Sequence, residues 1–451
     1  MTSLSPRAPA RGAGTSRPHL FRAAWRWHFY AGLLVLPIVL ILSVTGAIYL
    51  FRPQVDRWEE RAFRGLDPAG AVSPDAQLAA ALAASPGARF TGYRLPEAPG
   101  DAAMIRLVDP AGALREWFVS PQGRVLGVLD PDARIEEVVA RIHSSLLLGR
   151  WGDWIVELAA SWTIVLILTG LVLWWPQPFR AAGTLWPRWS LRGRPLLRDI
   201  HRVTGFWVAG LVLVMLASGL PWAGAWGGAF AWARAELGWV KGTRDWKVGA
   251  EAPHAHGAAM APMSTPPSAS GLPLAAFVAR AQAERLPAPV YVVPPHAPQR
   301  FGPPTGAVWT VASETQNRPL ARQVTYDRAT GAVVGRTGFA DKHVLDRVVG
   351  TGIAWHEGQL FGLANQLLGL ATALALIALG VLGTAMWLKR RPPGRLAASP
   401  ATAEPLPRWA LAAVVLLALL LPLFGASLAL IWLLDRAIGL ARRRRISEAH
   451  A

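Results

Sequence analysis

The chain has 451 residues, of which 52% are hydrophobic and 16% charged, with a formal net charge of +18 and no cysteine. Its apolar residues gather into uninterrupted blocks, which excludes an ordinary soluble protein and marks membrane spans. The missing cysteine excludes disulfides, thiolate clusters, Cys-ligated iron–sulfur centres and covalent c-type haem attachment, leaving histidine as the main redox ligand.

The basic residues lie beside the apolar blocks: Arg17, Arg22 and Arg26, then Arg180, Arg188, Arg192, Arg194, Arg198 and Arg202, then Lys389, Arg390, Arg391 and Arg395. This placement is that of cytoplasmic anchoring in an anionic lipid surface and gives no nucleic-acid footprint. In chain order, residues 1–24 are basic and rich in Pro, Gly and Ser, a cytoplasmic leader. Residues 25–51 carry the first span, whose apolar block at 29–51 is too long for a signal-peptide core. At 1.5 Å per residue its roughly 22 residues cover about 33 Å, enough for the hydrocarbon layer.

Residues 52–140 are polar and external, with a helical stretch (DAQLAAALAAS) followed by alternating segments MIRLVD and LREWFVS and by PQG at a turn before RVLGVL. Asp-Pro and Gly punctuation predicts a small helix-plus-hairpin domain. Residues 141–176 hold the second span with its outer entry, apolar at 155–175; residues 177–200 form a basic cytoplasmic loop, and residues 201–222 the third span. A second external domain follows at 223–350, with a flexible stretch containing His254 and His256, a helix (LAAFVARAQAERL) and strands ending in QVTYDRATGAVVGRTGF. The fourth span occupies 351–388 with its outer entry, apolar at 363–388, and a basic cytoplasmic linker occupies 389–408. The apolar segment 409–434 is interrupted by Pro422 and Gly425, so it either crosses once or folds back, and 435–451 is a basic tail. The predicted fold is a mainly α membrane protein: duplicated transmembrane helix pairs in a four-helix core, two small external α+β domains, and a C-terminal hydrophobic segment.

The duplication is visible in spacing. The first and third spans open with His28-x3-Gly32 and His201-x3-Gly205, and each reaches a glycine 18 positions after its histidine, Gly46 after Thr45 and Gly219 after Ser218. In the second and fourth, His143 is followed by Gly149, Gly170 and Trp174, and His356 at the same offsets by Gly362, Gly383 and Trp387. Topology then places His28 and His201 together on the cytoplasmic side and His143 and His356 together on the outer side. Related by a two-fold axis along the membrane normal, like histidines face each other, and two facing imidazoles supply both axial ligands of one haem iron.

Other readings compete at this level. An interfacial histidine often only hydrogen-bonds a carbonyl, and duplication copies structural residues too. A bare metal site assisted by Asp153, Glu157 or Glu357 is a further competitor. His19, His296, His343 and His450 have no repeat partners and read as surface residues, and the HxH at His254 and His256 as a solvated loop. Arg22, Arg26, Arg198 and Arg202 inside, and Arg141, Arg150 and Arg347 outside, suit lipid head groups or haem propionates. Most of the 22 tryptophans suit interfacial belts, with Trp27, Trp162 and Trp355 placed to line a haem pocket.

The segments WRWHFYAG (25–32), RIHSSLLLGRWGDWIVELAASW (141–162), LTGLVLWWP (168–176), RDIHRVTGFW (198–207) and IAWHEGQLFG (353–362) together resemble the PepSY-associated transmembrane-helix family, also called iron-regulated membrane proteins. The resemblance covers about residues 20–390. It implies PepSY-like periplasmic domains, a multi-pass protein of the bacterial inner membrane with a cytoplasmic N-terminus, and two haem b groups held by His28, His201, His143 and His356. It further implies a transmembrane reductase of ferric siderophore or another ferric chelate at the periplasmic face. No GxGxxG follows a strand, so the electron donor is expected to be separate, a quinol or a cytoplasmic reductase. The alternative is a non-catalytic membrane module whose external domains bind or regulate a periplasmic partner.

Overall fold

In the computed structural model the described residues are 16–175, 179–241, 246, 248–249, 271–298, 304–391, 393–394 and 406–448. Most of the leader, the HxH stretch at His254 and His256, His450, and parts of the basic linker and tail lie outside them. Among the described residues five helices are long and apolar enough to cross a membrane: His19–Tyr49, Gly149–Trp174, Gly193–Trp222, Leu363–Leu388 and Pro422–Ala441. The contacts divide the chain into two units.

The first unit is Met1–Ile41, Ile155–Leu216 and Leu374–Ala451. It takes residues from α1 (Ser16–Tyr49), α5 (Gly149–Trp174), α6 (Gly193–Gly219) and α10 (Leu363–Leu388), and holds α11 (Arg408–Leu420) and α12 (Pro422–Glu448) whole. The basic loop before α6 is built rather than slack. Arg188 grips the fully buried Asp199 with Nε at 2.6 Å and Nη2 at 2.8 Å. The Trp174 indole donates to the Thr184 carbonyl at 3.1 Å and stacks on Phe206 at 3.9 Å.

The C-terminal segment doubles back. Leu421 leaves the helical region (φ −123°, ψ 88°), and Pro422 cannot donate to continue the ladder. A Cβ on Gly425 would lie 3.5 Å from the Cα of Ala418, seven residues earlier, whereas a straight helix separates such residues by about 10 Å. The two limbs are unequal: α11 is 13 residues long, short of a crossing, and the 20 residues of Pro422–Ala441 are sufficient for one.

The second unit is Leu42–Trp154 and Ala217–Ala373. After α2 (Arg52–Glu59) and α3 (Pro74–Ala84) come β1 (Arg89–Arg94), β2 (Ala103–Val108), β3 (Leu114–Val119), β4 (Val125–Leu129) and α4 (Ile135–Ser145). The later segment supplies α7 (Gly224–Glu236), α8 (Leu274–Glu284), β5 (Val290–Val293), β6 (Val308–Ser313), β7 (Arg322–Asp327), β8 (Val333–Gly338) and α9 (Val344–His356). The strands form one antiparallel sheet in the order β4-β3-β2-β1-β5-β6-β7-β8. The two external domains expected from sequence therefore share a sheet, joined where Tyr93 and Arg94 of β1 pair with Val292 and Tyr291 of β5. The joint is reinforced across the halves, because the Asp75 carboxylate of α3 caps α8, accepting from Leu274 N and Ala275 N at 2.9 Å each.

Strand alternation sorts the two faces. Ile105, Leu107, Val119, Val292 and Val311 point into an apolar core with Ala81 of α3 and Phe277 of α8. The alternate residues, Met104, Phe118 and Tyr291, pack with Phe63 and Leu66 on the other face. Phe277 is fully buried and stacks on Trp309 at 4.6 Å. Phe277→Ala is therefore expected to destabilise this unit by about 3–5 kcal/mol, measured as a lowered melting temperature of the purified protein.

Candidate functional site

In the first unit His28 of α1 and His201 of α6 face one another with ring centroids 6.3 Å apart and planes at 89°. His28 Nδ1 donates to the Leu166 carbonyl at 3.0 Å, and Thr169 Oγ1 of the same helix lies 3.3 Å away. A carbonyl only accepts, so the proton sits on Nδ1 and Nε2 keeps its lone pair. The Nδ1 of His201, by contrast, is buried without a hydrogen-bond partner. Glycines seat both rings. A Cβ on Gly170 would stand 3.0 Å from His28 Cε1, and one on Gly383 would stand 3.8 Å from His201 Cε1.

The second unit repeats the arrangement. His143, in the last turn of α4, and His356, at the end of α9, have centroids 6.3 Å apart and planes at 79°. Thr45 Oγ1 lies 3.0 Å from His143 Nδ1 and donates its own proton to the Leu42 carbonyl at 3.3 Å, so it accepts from the imidazole. Ser218 Oγ lies 3.1 Å from His356 Nδ1, and Trp222 packs its edge on that ring at 5.4 Å. A Cβ on Gly46 would meet His143 Cε1 at 3.1 Å, and one on Gly219 would meet His356 Cε1 at 3.2 Å. Burial, and then the neighbouring His356, push the His143 pKa down to about 4. The ring is neutral at physiological pH, the form that binds metal.

The structure thus brings together the four histidines in the two pairs expected from sequence. The repeat-matched glycines admit the histidine ring itself to the neighbouring helix. Thr45 and Ser218 were visible in the repeat as hydroxyls beside those glycines, but their part as hydrogen-bond partners of Nδ1 was not. Two carboxylates of the bare-metal alternative have other partners. Asp153 accepts from Gly224 N at 3.3 Å, and Glu357 faces Arg318 at 3.9 Å. No group of three or more His, Asp or Glu that suits a metal ion occurs among the described residues.

The surrounding residues divide. Trp27 stacks on Trp162 at 5.9 Å, and Trp162 donates to Ser427 Oγ of α12 at 3.1 Å. The Trp355 indole nitrogen is buried without a hydrogen-bond partner, its ring 6.3 Å from Phe361. Arg202 donates to the Trp174 carbonyl at 3.2 Å, Arg141 to the Asp132 carbonyl at 2.7 Å, and Arg22 to His19 at 2.9 Å. Arg26 lies over Tyr30 and Arg150 over Trp154, at 5.6 and 5.4 Å. His343 is not a plain surface residue, since its Nδ1 accepts from Leu345 N at 3.2 Å and caps α9.

The donor set fits a bis-imidazole metal centre. A metal–imidazole bond is about 2.0–2.1 Å and the ring centre sits about 1.1 Å behind its nitrogen, so two imidazoles on opposite sides of one ion have centroids about 6.3 Å apart. Both pairs have that separation. Where Nδ1 is hydrogen-bonded to a neighbouring helix, as in His28, His143 and His356, Nε2 is the nitrogen left for a ligand bond.

Long apolar helices, one antiparallel sheet and two facing histidine pairs define a multi-pass membrane protein with two candidate ligand pairs. The chain belongs to the family described as the PepSY-associated TM region, whose model matches residues 25–390. No curated protein matches the chain.

Proposed function

We propose that the protein is a di-haem b electron-transfer protein of the bacterial inner membrane, with a cytoplasmic N-terminus, and that it reduces ferric siderophore or another ferric chelate at the periplasmic face. The observation that carries this reading is the pair of 6.3 Å histidine separations, with Nδ1 of His28, His143 and His356 each hydrogen-bonded to a neighbouring helix. His28 and His201 would hold one haem and His143 and His356 the other. The absence of cysteine makes both non-covalent. Two helix pairs related as copies, each ending in one PepSY-like half of the sheet, are the arrangement proposed for the duplicated unit.

When bound, haem supplies one-electron transfer between ferrous and ferric states. The protein's share is to hold the ligating nitrogens neutral and oriented. Leu166 O, Thr45 Oγ1 and Ser218 Oγ set ring rotation, while Gly170, Gly46 and Gly219 set depth. Each ferric ion accepts one electron, and the ferrous product is held less tightly by hard oxygen ligands, so electron delivery alone releases it. Electrons arrive from a separate donor, a quinol or a cytoplasmic reductase, and membrane lipid is the remaining partner.

A pyridine haemochrome assay is expected to give about two haems b per chain, extractable by acid acetone. The reduced protein mixed with ferric chelates under nitrogen is expected to reoxidise promptly as ferrous iron appears. Protein that stays reduced with every ferric chelate yet reoxidises with another periplasmic acceptor would remove the iron assignment. A folded chain containing no haem would remove the electron-transfer reading altogether.

A further inference from the structure

The outer pair differs from the inner one in what carries it. His28 and His201 sit on long apolar helices, whereas His143 and His356 end two short ones, α4 of 11 residues and α9 of 13. A ring on a short helix is placed only as well as that helix is anchored, and both helices are anchored by buried charge.

α4 is clamped at its first turn. Arg52 Nη2 lies 2.9 Å from Glu136 Oε1, with the two side chains 16% and 11% exposed. Arg134, the residue before the helix, reaches Glu60 at 2.9 Å, Glu116 at 3.1 Å, and Asp56 and Glu59 at 3.4 Å each. Glu59 Oε1 also accepts from Ile135 N at 3.1 Å, which caps the helix from α2. α9 is held by a different device. Arg234 of α7 donates to Asp346 Oδ2 at 2.8 Å, and the same guanidinium donates to the Trp239 carbonyl at 3.0 Å. Both side chains of that pair are almost wholly buried.

The two clamps are not copies of each other. The offset that superposes His143 on His356 places Val349 at the position of Glu136, and Ala133 at that of Asp346. Each half thus closes an ion pair of its own between the helix following the outward span and the first turns of the helix bearing the outer histidine. A passive duplicate would have kept one solution. Buried ion pairs are also a poor means to stability alone, because apolar residues of similar volume serve as well or better; in some proteins their use is to fix one orientation or register.

We propose that Arg52, Glu136, Arg234 and Asp346 are positioning residues for the outer histidine pair, holding α4 and α9 so that the two imidazoles keep the separation one metal centre requires. The effect on bound haem rests on the proposed function; the positioning itself does not.

The test uses the full chain in nanodiscs and exploits its lack of cysteine. Spin labels are attached through Leu147→Cys and Phe361→Cys, exposed positions four and five residues beyond the two histidines. The parent is compared with Asp346→Asn, Glu136→Gln, the apolar double variant Arg234→Met/Asp346→Leu, and Glu284→Gln, which removes the Arg336–Glu284 pair far from both clamps in sequence. The inter-label distance distribution is expected to broaden in the first three and not in the fourth. Haem affinity at the outer pair is expected to fall about 10-fold in the same three, as when second-sphere partners of metal ligands are lost, with the low-spin signal of the inner pair unchanged. The double variant separates loss of orientation from the misfolding caused by an unpaired buried charge. Distance distributions that coincide with the parent's in Asp346→Asn and in the double variant would overturn the proposal, even with two haems bound. Broadening in a chain that binds no haem would uphold the positioning and overturn the haem reading instead.

Discussion

His28→Ala and His201→Ala are each expected to remove one and the same low-spin haem and to leave the other intact, and His143→Ala and His356→Ala to do the converse. Total haem should fall to about half in all four variants, because a bis-histidine iron stripped of one ligand is no longer held as a six-coordinate low-spin centre. The pairing follows from the geometry: His28 and His201 face each other at 6.3 Å in one unit, and His143 and His356 at 6.3 Å in the other. Pyridine haemochrome content with low-temperature reduced-minus-oxidised spectra separates the two losses. Equal spectral loss in His28→Ala and His143→Ala would break the assignment, since those residues lie in different units.

A glycine-to-alanine series at the ring seats should divide three to one. Helix propensity alone favours alanine over glycine by about 1 kcal/mol at an interior helical position, so it predicts stabilisation at Gly170, Gly46 and Gly383 and less at Gly219, which ends α6. Contact with the ring opposes this at Gly170, Gly46 and Gly219, where the new Cβ would stand 3.0, 3.1 and 3.2 Å from a histidine Cε1. The ring must retreat, and retreat strains hydrogen bonds to its Nδ1 that are 3.0, 3.0 and 3.1 Å long. These three variants are expected to lose about 10-fold in affinity for the haem of the pair concerned. Gly383→Ala, with 3.8 Å to His201 Cε1, is ordinary van der Waals contact and should keep both haems and melt slightly higher. Haem per chain and melting temperature, measured on the same samples, give both signs. Uniform behaviour across the four would show that the glycines matter only to the helices that contain them.

The sequence by itself determined the parts of this protein that are written along one dimension. Uninterrupted apolar length announced the spans at 29–51, 155–175, 203–222 and 363–388, because burial in lipid depends on run length and little else. Repeat spacing announced which histidines belong together, since equal offsets from His143 and His356 to glycine and tryptophan put like residues at like positions on like helices. Alternation announced MIRLVD and LREWFVS as strands, and the PQG turn the segment RVLGVL after them. RFTGYR, which became β1, was not legible: Gly92 interrupts its apolar pattern, and it is held between two partners, β2 and the distant β5.

The tertiary structure alone decided what depends on approach between distant residues. The edge pairing of β1 with β5 joins segments about two hundred residues apart, and nothing local in either strand specifies that partner. The fold-back after Leu421 required Gly425 to lie against Ala418, which run length cannot express. The seating of each histidine ring on a glycine, and the Nδ1 hydrogen bonds of His28, His143 and His356, arise only where two helices touch. The Arg52–Glu136 and Arg234–Asp346 ion pairs have no counterparts at matched offsets, and charge pairing is satisfied by proximity in space, not by position in the chain.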